Sequence, residues 1–265
     1  MKYIAWFSCG ATSAVACKLA LKTFGYDNVD IWYIDTGSHH PDNERFLKNC
    51  EQWYNKTINI AKSPMYESVI DCCSKRKIFN TPAGSPCTLF LKKEVRQNQI
   101  MPRYKEQEVI HILGFEYTKR EANRALRWKQ QQTPNCYFPL IVHRLNKQDC
   151  LKELQKNSIE IPTMYYLGYN NNNCVGCCKG GAGYWNKIRK DFPEVFEKFS
   201  KVEQEIQRSV LKRDGKPLFL NDLSEDSGRH TDIDIPSCGL FCDVVTEGLP
   251  IYELEDVRER IIGNG

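Results

Sequence analysis

The stretch IAWFSCGATS, from Ile4 to Ser13, decides the fold of this chain, because a short apolar run there breaks into small, hydroxyl-bearing residues. The run predicts a β-strand, and apolar residues at helical spacing after it predict a helix. The start of a helix favours a bound anion, since its N–H groups and dipole point there. An ordinary Ser- or Thr-capped turn has the same pattern, so other residues must decide. The predicted anion-binding loop consists of Ser8, Cys9, Gly10, Ala11, Thr12 and Ser13.

Strand and helix patterns alternate along the following chain. The strands are predicted at 3–7, 29–34, 57–60, 109–113 and 138–141, and the helices at 12–23, 43–53, 87–98, 120–130 and 147–157. Such alternation predicts a doubly wound α/β fold, with a parallel sheet between two layers of helices. Ligands of these sheets bind beyond the carboxyl ends of the strands. The loops after Phe7, Ile34 and Leu113 should therefore share one rim.

A change in composition near residue 169 predicts two parts. Residues 1–168 form the α/β domain, and residues 169–265 form a cysteine-rich, helical C-terminal extension. Apolar residues at helical spacing after Pro193 predict a helix over 193–213. A Cys-Gly-Leu-Phe-Cys tail follows at 238–242.

The composition narrows the classes of function. The formal charge of +4 does not require a nucleic acid, although one remains possible beside the basic stretch from Lys75 to Arg96. Neither a bilayer-spanning apolar run nor a secretory signal is present, so we expect a cytoplasmic protein without a membrane partner. Thirteen cysteines, several of them clustered, favour metal or redox chemistry over structural disulfides.

The second and third rim loops carry further candidate residues. Asp35 can accept hydrogen bonds from a ribose or an amine, and Gly37 permits a close approach of the backbone. His39 and His40 follow, and we expect surface or capping histidines because neighbouring loop residues usually point apart. The third loop begins at Gly114 and leads to cations that suit a polyanion, unless they form only a solvated helix face. These cations are Lys119, Arg120 and Arg124.

The spacing of Cys174 and Cys177 presents two thiolates to one metal or cluster. Two ligands do not complete a site, so further donors must come from elsewhere. The plausible donors are Cys87, Cys238 and Cys242, with Cys72, Cys73 and Cys178 in reserve. A wholly thiolate set suits an iron–sulfur cluster or zinc, and a redox dithiol is the alternative.

Five segments, in order, resemble the sulfonucleotide reductases, which reduce phosphoadenylyl sulfate (PAPS) or adenylyl sulfate (APS). They are SCGATS at 8–13, YIDTGSHHPD at 33–42, the segment 114–125, FPLI at 138–141 and SCGLFC at 237–242. The resemblance implies the HUP fold of the adenine nucleotide alpha-hydrolase-like, PP-loop proteins. It also implies that ATP, APS or PAPS is bound by the 8–13 loop together with Asp35, Thr36, Gly37, Gly114, Arg120 and Arg124.

The resemblance also implies a metal cofactor. Cluster-bearing members hold a [4Fe–4S] centre with a Cys-Cys pair and a later Cys-x-x-Cys. Here Pro86 replaces the first cysteine of the pair, and the implied ligands are Cys87, Cys174 and Cys177. Cys242 is the candidate fourth ligand, with Cys238 and Cys178 as rivals. The Cys72-Cys73 pair is interpreted as lying outside the site.

Three functions follow as hypotheses. In the reductase, Cys238 attacks the substrate sulfur and a thioredoxin-like reductant resolves the product. The second hypothesis is an ATP-pyrophosphatase-type, cluster-dependent sulfurtransferase that modifies a nucleobase or nucleic acid. The third is a non-catalytic nucleotide- or redox-sensing protein. The tail lacks the glutamate and histidine of the reductase tail, and the loop differs from the PP-loop consensus at Cys9 and Thr12.

Overall fold

A five-stranded parallel sheet forms the centre of the fold. The computed structural model describes residues 1–81, 84–130, 135–228 and 250–263. The strands are β1 (Lys2–Phe7), β2 (Val29–Asp35), β3 (Asn59–Lys62), β4 (Val109–Ile112) and β5 (Cys136–Tyr137). Their order in the sheet is β3-β2-β1-β4-β5. Every pair is parallel, so the predicted α/β class is confirmed.

Helices cover both faces of this sheet. They are α1 (Ala11–Phe24), α2 (Asn43–Tyr54), α3 (Val69–Arg76), α4 (Pro86–Thr88), α5 (Lys119–Gln130), α6 (Pro139–Val142), α7 (Lys147–Lys156), α8 (Thr163–Tyr166), α9 (Ala182–Asp191), α10 (Pro193–Ile206) and α11 (Leu254–Gly263). One apolar core joins the sheet to α1, α2 and α7, and another joins it to α5 and α11. Among the helices of the described residues, none is long and apolar enough to cross a membrane.

A third apolar core lies beside the sheet and includes cysteines. It brings α3 and α4 together with α9, α10 and the Cys-x-x-Cys loop. At its centre Trp185 packs on Phe199, with ring centroids 4.9 Å apart. Residues on both sides of position 168 therefore contribute to one core.

Two predicted elements are wrong in type or length. Residues 138–141 were expected to form a strand, but Pro139 begins the short helix α6 immediately after β5. Short apolar runs are ambiguous between strand and helix. The predicted helix 193–213 ends at Ile206, because Gln207 adopts a left-handed conformation at φ 51 and ψ 44. The chain then forms a hairpin of β6 (Leu211–Arg213) and β7 (Lys216–Leu218).

The predicted helix 87–98 lies within a longer helical segment of mixed geometry. After α4 it contains two π-helical turns, Leu89–Lys93 and Arg96–Ile100, and a 3-10 turn, Met101–Tyr104. π-Helical turns are frequent at functional sites. The first of these turns carries Lys92, which lines the cavity described below.

A buried carboxylate connects α10 to the hairpin. Glu203 is fully buried, and its two oxygens accept the backbone N–H groups of Val210 and Leu220, both at 2.6 Å. Burial outweighs these donors and raises the pKa of Glu203 from its ordinary 4.5 to about 7. The folded state thus retains a proton that the unfolded chain releases between those two values.

Because the folded and unfolded states release this proton at different pH values, the stability of the protein should depend on pH. The free energy of unfolding should fall as pH rises from about 4.5 to about 7, by up to about 3 kcal/mol from this group. Urea unfolding at pH 5 and pH 8 measures the loss, and Glu203→Gln, which cannot titrate, should show a smaller one. Equal losses in both proteins would contradict the assignment.

Candidate functional site

The loop between β1 and α1 is held in shape by Ser13. Its hydroxyl accepts the N–H and the hydroxyl of Ser8, at 3.1 and 3.0 Å, and donates to the Gly10 carbonyl at 2.9 Å. The Ala11 N–H donates to the Tyr165 hydroxyl at 3.1 Å. Cys9 adopts φ 57 and is fully buried. The first turn of the 14-residue helix α1 consequently lies at a fixed place beyond the carboxyl end of β1.

A cavity of about 470 Å³ lies where the three rim loops meet. The first loop contributes Ser8, Gly10, Thr12 and Ser13, the second contributes Thr36 and His39, and the third contributes Gly114 and Arg120. The loops come from the three adjacent strands β2, β1 and β4. The rim predicted from the alternating pattern is therefore present.

Gly114 brings the third loop against the first. A Cβ atom at this position would lie 2.9 Å from the Cα and 3.0 Å from the nitrogen of Ser13. Those neighbours are backbone atoms at the start of α1 and cannot rotate away. Glycine is required here because the two loops touch through their main chains.

Some predicted site residues shape the loops from behind. Cys9, Ala11, Asp35, Gly37 and Arg124 are absent from the described residues that line the cavity. The Asp35 carboxylate accepts the Gly37 N–H at 2.8 Å and lies 3.4 Å from His39 Nδ1. Gly37 adopts φ 66, and a Cβ atom there would overlap the Glu67 carbonyl. The Arg124 guanidinium lies 4.7 Å from the centre of the Phe115 ring.

His39 is a cavity residue, so the expectation of a surface or capping histidine is wrong for it. Its side chain is 10% exposed, and Nδ1 lies 2.6 Å from the Tyr33 hydroxyl. His40 does have the expected capping role, since its Nδ1 accepts the N–H of Asp42 at 3.1 Å. The loop that carries Cys174 covers His39 and is held there by a backbone hydrogen bond.

The second loop and the Cys-x-x-Cys loop are bonded to each other. The Val175 N–H donates to the Ser38 carbonyl at 2.7 Å, and the Thr36 hydroxyl lies 3.0 Å from the Cys174 sulfur. Burial alone would raise the pKa of Cys174, but His39, Lys92 and Thr36 outweigh it and lower that pKa to about 6. Burial alone would lower the pKa of His39, but Cys174 and Asp35 raise it to about 9. Both shifts favour the ion pair of a Cys174 thiolate and a His39 imidazolium.

Four thiols line one wall of the cavity: those of Cys87, Cys174, Cys177 and Cys178. Cys73 lies behind this wall, with its sulfur 3.5 Å from that of Cys178. Cys238 and Cys242 lie outside the described residues. Within the described part of the chain, no group of three or more His, Cys, Asp or Glu side chains is arranged to hold a metal ion.

Comparison with known protein families assigns most of the chain to one family. Residues 2–180 match the model of the phosphoadenosine phosphosulfate reductase domain family. The chain belongs to this family. The matched segment of this chain, residues 2–180, contains all the cavity residues named so far.

Two similar proteins extend the comparison. An uncharacterized protein of Methanocaldococcus jannaschii, MJ0066, is 27% identical in an alignment of 208 residues that covers 75% of this chain and 41% of that protein. This chain therefore spans less than half the length of that relative. The crystal structure of PAPS reductase from Candida auris in complex with phosphate is similar with a TM-score of 0.44, at 18% identity over 66% of this chain and 81% of that one.

Sequence reasoning missed several cavity residues of this family member. Lys147, Tyr165 and Asn172 line the cavity but belong to segments that carry no motif, and Lys92 lines it although the sequence indicates only a basic stretch from Lys75 to Arg96 there. The Asn172 amide donates to the Cys9 carbonyl at 2.6 Å, and its Oδ1 has no partner among the described residues. Buried polar atoms are normally paired, so this oxygen is an exception among the described side chains.

Proposed function

We propose that this chain binds an adenine nucleotide in the cavity and carries out thiol-dependent sulfonucleotide reduction. One observation carries the proposal: the 8–13 loop and the thiols of Cys87, Cys174 and Cys177 line the same cavity of about 470 Å³. A sulfate group activated by a nucleotide would share this space with the sulfur atoms. Membership of the family supports sulfonucleotide chemistry in general.

The nucleotide phosphates are assigned to the start of α1. Backbone N–H groups and the helix dipole favour an anion there. Arg120 and Lys147 also line the cavity, and Lys147 is paired there with Glu116 at 3.3 Å. The ligand-facing residues are Ser8, Gly10, Thr12, Ser13, Thr36, Gly114 and Arg120. The remaining predicted residues, Cys9, Ala11, Asp35, Gly37 and Arg124, would hold these loops in place.

The nucleophile in this proposal is Cys238. Its thiolate attacks the sulfur of the adenylylated sulfate, a sulfur–sulfur bond forms, and the bond from that sulfur to the phosphate oxygen breaks with release of the nucleotide. A thioredoxin-like dithiol then attacks the Cys238 sulfur, releases sulfite, and becomes a disulfide as it restores the thiol. Reduced thiols fit the cytoplasm, where we propose that the protein acts.

The residue types of the cavity thiols suit iron, although the described residues contain no group of three or more His, Cys, Asp or Glu side chains arranged to hold a metal ion. Cys87, Cys174 and Cys177 are soft ligands on one wall, and the low pKa of Cys174 favours the thiolate form that metals bind. We propose that they hold a [4Fe–4S] cluster, with Cys242 as the fourth ligand. Such a cluster would supply redox-active iron beside the bound nucleotide.

Replacing the proposed nucleophile tests the reaction. Cys238→Ser should abolish sulfite release from APS or PAPS in the presence of a dithiol reductant, because a hydroxyl cannot form the thiosulfonate. Nucleotide affinity, measured by calorimetry, should remain that of the unchanged protein. Cys136→Ser is the matched control, since Cys136 lies on β5 and outside the described cavity lining. Unchanged sulfite release by Cys238→Ser would remove this residue from the mechanism.

Assays on the same purified protein distinguish the reductase from the two alternative functions. Pyrophosphate release from ATP that depends on added RNA or DNA would replace reduction with an adenylating sulfurtransferase activity. Nucleotide binding without either product would replace it with a sensing role. Iron and sulfide analysis after anaerobic purification tests the cluster independently of the reaction.

A further inference from the structure

A pair of cysteines lies behind the cavity wall. The sulfur atoms of Cys73 and Cys178 are 3.5 Å apart, and the residues are 0% and 1% exposed. They are 105 positions apart in the chain, with Cys73 on α3 and Cys178 in the loop after the Cys-x-x-Cys motif. Neither thiol has a part in the proposed reaction or in the proposed ligand set.

Hydrogen bonds other than the thiol contact hold both partners in place. The Ser68 hydroxyl accepts the Asp71 N–H and caps the start of α3. The Asn80 amide donates to the Cys178 carbonyl at 3.0 Å. A disulfide needs its sulfurs about 2.05 Å apart, so the two thiols need to approach by only about 1.5 Å. A small rotation of the side chains can supply such a movement.

An oxidant has a route to one of the two sulfurs. Cys178 lines the cavity, whereas Cys73 is absent from the described cavity lining. Because Cys178 lines the cavity and is only 1% exposed, a small oxidant is favoured over a bulky one. Hydrogen peroxide meets this size requirement.

We propose that Cys73 and Cys178 form an oxidisable dithiol that a hydroperoxide converts to a disulfide. The Cys178 sulfur attacks the peroxide, the O–O bond breaks, and a sulfenic acid and one water form. The Cys73 sulfur then attacks the sulfenic sulfur, an S–S bond forms, and a second water leaves with both thiol protons accounted for. Two thiols lose two electrons, and the peroxide gains them.

The disulfide would connect α3 to the loop that carries Cys174 and Cys177. Cys178 is also in hydrogen-bonding contact with Cys87, so an oxidised Cys178 has two possible thiol partners. When the Cys73 sulfur reacts with the oxidised Cys178, the disulfide forms behind the cavity wall and the thiol of Cys87 stays reduced. The inference depends on the thiol pair and the cavity, and it does not require the proposed reductase activity.

The full chain, purified anaerobically with its metal content measured, provides the test. One equivalent of hydrogen peroxide is added, remaining thiols are blocked with iodoacetamide in denaturant, and tryptic peptides are analysed by mass spectrometry without reductant. We expect a linked pair of the peptides 63–75 and 157–179 that dithiothreitol separates, with fragment ions that assign the link to Cys73 and Cys178.

Matched variants on α3 make the assignment specific. Cys73→Ala should reduce the linked pair to background, whereas Cys72→Ala, which changes the adjacent buried cysteine, should preserve it. Absence of the link in the unchanged chain would overturn the proposal, and that result does not depend on how the variants fold. A link between peptides 78–92 and 157–179 in its place, which would join Cys87 to the loop, would also overturn it.

Discussion

Replacing Gly114 by alanine is expected to weaken nucleotide binding by about 5- to 150-fold, because a forced contact of this kind costs about 1–3 kcal/mol. The added Cβ atom would lie 2.9 Å from the Cα of Ser13. Since that atom belongs to the first turn of α1, the third loop must move away from the phosphate loop. Calorimetric titration with APS and ATP measures the dissociation constants.

A glycine in open space provides the control for Gly114→Ala. Among the described residues, apart from the chain neighbours and the backbone of its own helix, no heavy atom lies within 4 Å of a Cβ atom built on Gly263, at the end of α11. Gly263→Ala should therefore retain the dissociation constant of the unchanged protein. Thermal unfolding of both variants reports whether the change at Gly114 is confined to the site. Unchanged affinity in Gly114→Ala would show that nucleotide does not bind between these loops.

The strand, loop and helix at the start of the chain could be predicted because their pattern is local. The apolar residues of β1 and the helical spacing in α1 lie within one short segment. Once the strands are taken as parallel, their carboxyl ends lie at one edge of the sheet, and this alone predicts that the rim loops lie together. The structure and the family match confirm this part of the sequence analysis.

The environment of His39 could not be predicted, because it depends on contacts between distant parts of the chain. Burial of His39 requires the loop at Cys174, which is held by the hydrogen bond from Val175 to Ser38. The end of α10 was predicted wrongly for a similar reason. Val210 continues the helical spacing beyond Ile206, yet it is buried next to the β6–β7 hairpin. Apolar spacing alone does not distinguish these two ways of burying a residue.

Replacing Cys174 by alanine is expected to lower turnover by about 10³-fold or more, an effect typical of the loss of a residue at a reacting centre. The change removes the thiolate next to His39 and one of the proposed iron ligands. Sulfite release, iron content and visible absorption of the anaerobically purified protein should all fall together. Nucleotide affinity should stay within about threefold, because the phosphate contacts of the 8–13 loop are unchanged.

Cys150→Ala separates this expectation from a general effect of removing a buried cysteine. Cys150 is fully buried and Cys174 is 9% exposed, but Cys150 belongs to the core between α1 and α7 and does not line the described cavity. The free energy of unfolding of the Cys150→Ala variant should fall by about 1 kcal/mol, because the change creates a small cavity. The variant should retain its iron and its turnover. Full iron and turnover in Cys174→Ala would show that the thiolate–imidazolium pair serves neither metal binding nor sulfur chemistry. A loss of iron with turnover retained would limit the cluster to a structural role, because the chemistry would then proceed without it.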